Sequence, residues 1–201
     1  ALSTEHNAFT VMLETIFTVG VDFVPAVVRM ILLVLGSSGQ PLPEWLTFAL
    51  STDDLPDAYR GHPVAEEHQC VSIIAVYVPD VGWRFFEQYG LAYGLKAAVV
   101  GFNRHPALGV SVARRCTLSV SAAYFDDESA VEFRASENTS RKGLLLTFKC
   151  LGSTPKVEKG FPSAANRHYL GASLHVGDAV DGWLRILSEH ATREKVLEKL
   201  H

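Results

Sequence analysis

The stretch that most constrains this chain is residues 83–101, WRFFEQYGLAYGLKAAVVG, where aromatic side chains crowd together ahead of two glycines and a lone lysine. Asp80 is placed to cap a short helix there, and Gly90 to end it. Trp83, Phe85, Phe86 and Tyr89 would then point in several directions around the axis. A short helix with aromatics on more than one face cannot lie on a surface without exposing a large apolar patch. The expectation is therefore a helix that threads or plugs a cavity. Arg84 and Glu87 are three apart and face one side, where they can pair. Gly90 and Gly94 bracket Leu91, Ala92 and Tyr93, and Lys96 precedes an apolar run. Polar groups set between glycines and within apolar sequence are where a small-molecule site is built. The same residues also fit a packed core with a snorkelling lysine.

Whether the rest of the chain can enclose such a helix depends on its apolar content. Of 201 residues 48% are hydrophobic, enough for one core, so a single domain over 1–201 is expected. The net charge is −4, with no basic stripe and no aromatic-basic repeat, which argues against nucleic acid as a partner. Cys70, Cys116 and Cys150 sit in apolar, strand-like sequence and read as buried thiols in a reducing, cytoplasmic setting. Residues 16–35 are the most apolar, but Asp22, Pro25 and Arg29 interrupt them, so neither a membrane span nor a signal peptide is expected.

Residues 8–19 read as a strand, and a helix follows from Asp22 with Pro25 in its first turn, ending at Gly36 and mostly buried. Residues 45–50 read as a short strand, 51–69 as a long polar connection, and 70–78 as a strand buried in part on both faces. Residues 96–102, 110–114, 116–123, 130–136, 144–150 and 167–176 read as further strands, with turns at 126–129 and 138–143. Residues 181–200 carry a helical pattern. The pattern predicts an α+β fold: a mostly antiparallel curved sheet or β-barrel with two or three flanking or plugging helices.

The order of these elements resembles the acetoacetate decarboxylase-like superfamily. The segment IIAVYVPD (73–80) is similar to that family's hydrophobic strand, FFEQYGLAYGLK (85–96) to its helix and site segment, and CTLSVSAAY (116–124) with VEFRAS (131–136) to its paired strands. The resemblance implies a barrel with an interior pocket. Those decarboxylases use a lysine that forms a Schiff base. Here LAYG (91–94) stands in that place, with Tyr93 the simplest replacement, so imine decarboxylation does not carry over. Glu87 matches the family's glutamate position.

These readings converge on acid–base chemistry on an organic carbonyl or carboxylate compound, by a lyase, isomerase or cyclase. Glu87, Tyr93 and Lys96 are the candidate catalytic groups, and Arg84, Trp83, Phe86 and Tyr89 the candidate substrate-binding groups. No metal or nucleotide cofactor is expected: His62 to His68 lacks zinc spacing, and there is no phosphate loop and no nucleophile elbow. A non-catalytic carrier of a hydrophobic small molecule is the alternative. A homo-oligomer that uses the apolar 22–35 helix as its interface is a third possibility.

Overall fold

A computed structural model describes residues 15–16, 18–43, 45–55, 59–136, 138–153, 155–156 and 158–188. In chain order its elements are helix α1 (Phe23–Gly36), strands β1 (Phe48–Asp54), β2 (Ile73–Val78) and β3 (Gly82–Glu87), helix α2 (Lys96–Cys116), strands β4 (Val120–Tyr124) and β5 (Asp127–Phe133), helix α3 (Thr139–Cys150), and strands β6 (Phe161–Ala164), β7 (Asn166–Tyr169), β8 (Ala172–His175) and β9 (Arg185–Ser188). The fold is α+β, with three antiparallel sheets and no closed barrel among the described residues. The chain divides into two compact units, one of Ala1–Phe17 with Pro56–Pro106, the other of Thr18–Leu55 with Ala107–His201.

The larger unit is built on a sheet of order β4-β5-β1-β6. Strand β1 runs antiparallel to β5 in unbroken register from Phe48↔Phe133 to Asp54↔Asp127. Side chains alternate across a strand, so each face can be read from the sequence. Phe48, Leu50 and Val131 lie on one face and pack with Val24 and Val28 of α1 and with Tyr169, Leu174 and Val176. Helix α1 forms as its sequence dictates, with Asp22 at the N-cap and Pro25 in the first turn. Only Val24 and Val28 are fully buried on it, one turn apart, while Met30, Leu33 and Val34 are exposed. The expectation of a mostly buried helix is corrected: a single helical stripe faces the core.

The other face of the sheet is polar yet buried. It carries Ser51 and Asp53 from β1 and Glu128 and Glu132 from β5. Helix α3 satisfies two of them, Glu132 and Asp53. The Ser140 N–H, in the first turn of α3, donates to Glu132 Oε2 at 2.9 Å, where an anion meets the positive end of the helix. The Ser163 hydroxyl donates to the other Glu132 oxygen. Arg141 makes a two-pronged ion pair with Asp53, at 2.8 and 2.6 Å. Helices α2 and α3 approach closely at Gly109, where an added Cβ would overlap the Phe148 ring.

In the smaller unit, β2 and β3 pair from Ile73↔Glu87 to Val78↔Gly82. Asp80, with φ +64°, sits in the tight connection between them. This corrects the helix expected over 80–90: those residues form the second arm of a hairpin. The reason is visible in the register. Tyr77 opposes Trp83 and Ile74 opposes Phe86, and such cross-strand pairs stabilise a ribbon in either orientation of its faces. The strand expected at 70–78 is present as β2, but it is exposed rather than buried.

Other expectations are corrected as well. Residues 96–102 and 110–114 lie in α2, not strands. The buried positions Ala98, Phe102, Val110 and Ala113 recur at helical spacing, and the valines between them mimic a strand. Residues 138–150 form α3 with its Asn138 cap, rather than a turn and a strand. The polar connection expected from 51 begins inside β1, and 167–176 is a hairpin rather than one strand. Residues 185–188 are a strand, and the remainder of the helix expected to 200 lies outside the described residues, as does most of the strand expected over 8–19. The cysteines are free but exposed, two of them at helix C-termini, not buried in strands. No helix among the described residues is long and apolar enough to cross a membrane.

The helix approach at Gly109 gives a direct check. Gly109→Ala forces a methyl into the Phe148 ring, and overpacking of this kind costs about 1–3 kcal/mol. Urea denaturation should show that loss, and Gly109→Ala combined with Phe148→Leu should recover part of it.

Candidate active site

At the end of β1 the β1–β5 register places acid against acid twice in succession, as Asp53↔Glu128 and Asp54↔Asp127. Residues directly opposite in an antiparallel pair have Cβ atoms about 4.5–5.5 Å apart, and like charges there repel. A fifth carboxylate, Asp126, sits in the two-residue turn Phe125-Asp126 between β4 and β5. Phe125 takes φ +54°, which lets the chain reverse within two residues. The Leu55 N–H donates to the Asp126 carbonyl at 2.8 Å and ties the end of β1 to that turn.

Alternation divides the four strand acids between the two faces. Asp53 and Glu128 point toward α3, where Arg141 takes up the Asp53 charge. Burial pushes Asp53 up and the Arg141 hydrogen bond opposes it. Glu128 is fully buried, and neither carboxylate oxygen has a hydrogen-bond partner. Desolvation, reinforced by Asp53, Asp54, Asp127 and Asp126, drives its pKa well above the usual carboxylate range, which favours the protonated form.

Asp54 and Asp127 lie on the other face, at a small open depression of about 170 Å³ that Lys159, His168 and Tyr169 also line. Desolvation raises Asp54, then Asp126 adds to the shift, while Lys159 and Lys156 pull it down. Asp127 is pushed up to about 6 by desolvation and then by the charges of Asp126 and Asp54. Lys159 Nζ stands 4.0 Å from Asp54 Oδ2 on an exposed side chain, a weak contact in high dielectric. The trio Asp54, Asp126 and Asp127 thus carries more negative charge than its surroundings neutralise.

Such a donor set fits hard divalent cations, which take carboxylate oxygens. Among the described residues no three acid, imidazole or thiol side chains already enclose a metal position. Mg²⁺ commonly binds through one or two carboxylates, with water and substrate phosphates completing its shell. Asp54, Asp126 and Asp127 are the residues that would hold it.

The residues singled out from sequence lie elsewhere. Trp83, Arg84, Phe86 and Glu87 are exposed on β3, with Phe86 on the opposite face of the ribbon from Trp83 and Glu87. Arg84 opposes Val76 on the Phe86 face, so Arg84 and Glu87 do not share a side. The Tyr89 hydroxyl donates to Glu87 Oε2 at 3.1 Å, and that carboxylate pushes the Tyr89 pKa up. Tyr93 is exposed and stacks against Tyr59, with the Arg60 guanidinium 5.9 Å from its ring. Lys96 is exposed at the start of α2. All seven belong to the smaller unit. The sequence reading missed the acidic trio. Its signal was a pair of Asp-Asp doublets, 53–54 and 126–127, each at the end of an apolar run, and both were assigned to connections.

No family model matches the chain, and neither does any curated protein. Among solved structures it is similar to a foamy viral protease-reverse transcriptase in complex with double-stranded DNA, with a TM-score of 0.59 over 86% of this chain at 15% identity. The match takes in 26% of that chain, so this chain corresponds to about a quarter of its length. At that identity the likeness shows a shared fold. Nothing in these comparisons bears on the acetoacetate decarboxylase-like resemblance.

The crowding of Asp127 has a consequence for stability. Its folded pKa, about 6, lies above the ordinary aspartate value of 3.8, so the folded state holds the proton more tightly than the unfolded chain does. That contribution is complete below about pH 4 and is lost as pH rises through 6. Asp127→Asn should therefore raise the melting temperature at pH 8, by an amount typical of surface-charge relief, about 0.5–2 kcal/mol. The gain should vanish by pH 4.

Proposed function

We propose that this chain is a nucleotidyl-transfer domain of the reverse-transcriptase kind, which extends a nucleic-acid strand on a template. The observation that carries the reading is the carboxylate trio, Asp54 on β1 with Asp126 and Asp127 at the β4–β5 turn, held together by strand register and by the Leu55–Asp126 hydrogen bond. The fold likeness to a protease-reverse transcriptase in complex with double-stranded DNA supports it.

The reaction class is attack of a strand's terminal hydroxyl on the α-phosphorus of a nucleoside triphosphate, with pyrophosphate leaving. Divalent cations held by the trio would supply charge neutralisation on the transferred phosphoryl group and activation of the hydroxyl. The chain's own part is positional. Register fixes Asp54 against Asp127, and the tight turn holds Asp126 beside them. Lys159 brings a cation to the same side. This reading reverses the expectation against a nucleic-acid partner. Net charge is an average over the whole chain, whereas phosphate recognition here is local and works through bound cations. The exposed, free thiols are in keeping with a reducing compartment such as the cytoplasm. An acid–base or carrier site at Glu87, Tyr93 and Lys96 would need those side chains enclosed, and they are exposed.

Primer extension by the purified chain on RNA and DNA templates, with Mn²⁺ or Mg²⁺, tests this reading. Asp54→Asn and Asp127→Asn should each lower incorporation by about 10²-fold or more, the scale on which loss of an electrostatic stabiliser acts. Both should also weaken Mn²⁺ binding followed by electron paramagnetic resonance. Wild-type protein that binds no Mn²⁺ and extends no primer would refute the assignment.

A further inference from the structure

We infer that Gly160, seated on the Asp53–Arg141 ion pair, is a positioning residue that sets Lys159 beside Asp54. Its consequence for catalysis rests on the nucleotidyl-transfer reading, but its geometry does not. Asp53 and Asp54 are consecutive in β1, so they point to opposite faces of the sheet. Arg141 grips Asp53 in a buried two-pronged pair whose side chains are 9% and 3% exposed. The chain arriving at β6 runs directly over this pair. A Cβ on Gly160 would overlap Asp53 Oδ1 and lie 2.5 Å from Arg141 Nη2. Only a residue without a side chain allows the backbone to rest there.

The neighbours of Gly160 give the contact its purpose. On one side the Lys159 N–H donates to the Lys156 carbonyl at 2.9 Å, forming a turn, and Lys159 Nζ stands 4.0 Å from Asp54 Oδ2. On the other side Phe161 pairs with Thr52 of β1. The β1–β6 register shifts between Leu50 and Thr52, so strand pairing alone does not fix where this segment lies along β1. The seat on the ion pair supplies that reference. Because Arg141 is committed to Asp53, its charge is turned away from Asp54. Lys159 then meets Asp54 only at the edge of ion-pair distance, with Lys156 acting on it electrostatically, which leaves the carboxylate's lone pairs open to a metal. Asp53, Arg141 and Gly160 act through Lys159 and touch no substrate.

Zero-length carbodiimide coupling in the full chain, mapped by peptide mass spectrometry, reads this geometry without reference to activity. Wild-type protein should give a cross-link between Lys159 and Asp54. Gly160→Ala should lose it while still melting cooperatively. If Gly160→Ala does not fold, Arg141→Lys serves instead: it keeps the charge, loses the fork, and should lower the yield. An unchanged cross-link in a folded variant overturns the inference. In primer extension, Gly160→Ala should lower kcat about tenfold, the scale of residues that orient a reacting group, with KM for the nucleotide unchanged. Lys159→Gln should do the same, and the double variant should be no worse than either single one. Additive losses would overturn the inference. A wild-type chain that cross-links as expected but transfers no nucleotide would refute the proposed function and leave the positioning intact.

Discussion

The β1–β5 register is the constraint on which the rest of this molecule depends. It sets two acid pairs side by side across neighbouring strands, Asp53 with Glu128 and Asp54 with Asp127. Each such pair works against the sheet by roughly 0.2–1 kcal/mol before burial is considered. A one-residue slip would still set Asp54 against an acid, Asp126 or Glu128, and it would turn Phe48, Leu50 and Val131 out of the core. Apolar packing of Phe48, Leu50 and Val131 therefore fixes the register that gathers acids on both faces at the end of β1. The two faces treat the charge differently. Toward α3 it is countered, by Arg141 on Asp53 and by burial that raises the Glu128 pKa and so disfavours its charge. Toward solvent it is left standing, and it is there that a cation has something to bind.

The sequence carried part of this fold openly. Helix α1 was legible because Asp22, Pro25 and Gly36 punctuate it. Strand β5 was legible in part because Val131 and Phe133 alternate with Glu132. Helix α2 was not, because Val99, Val100, Val110 and Val112 are strand formers and only the spacing of Ala98, Phe102 and Val110 reveals the buried face. Helix α3 was hidden by Gly143 in its middle and by the turn-like Asn138-Thr139-Ser140 at its start. The candidate site was harder still. Asp54 and Asp126 are far apart in sequence, and no local pattern says that their strands pair. Once pairing is known, each Asp-Asp doublet falls at a strand end, and the site follows.

Composition pointed away from nucleic acid, but an average over the whole chain does not describe a local cluster of acids. An acidic chain can engage a polyanion where its acids are gathered to hold cations, because the metal and not the side chain then meets the phosphate. The acids proposed to do this here, Asp54, Asp126 and Asp127, are among those that make the net charge negative. A basic stripe is thus one signature of nucleic-acid chemistry, and a crowded carboxylate cluster at the end of a sheet is another.

The β2–β3 ribbon, which carries exposed apolar side chains on both faces, has a bearing on how the chain behaves as a material. Ile73, Tyr77, Trp83 and Phe85 line one side, and Ile74, Val76 and Phe86 the other. A lone two-stranded hairpin is marginal in water, and these side chains gain nothing from solvent. Its amide protons would exchange with deuterium well ahead of those of β1 and β5, whose strands have neighbours on both edges. Warming would melt the ribbon before the sheet and leave greasy strands free to find one another. Colloidal stability of the chain is thereby set in one hairpin, while its thermodynamic stability is set in another part of the molecule.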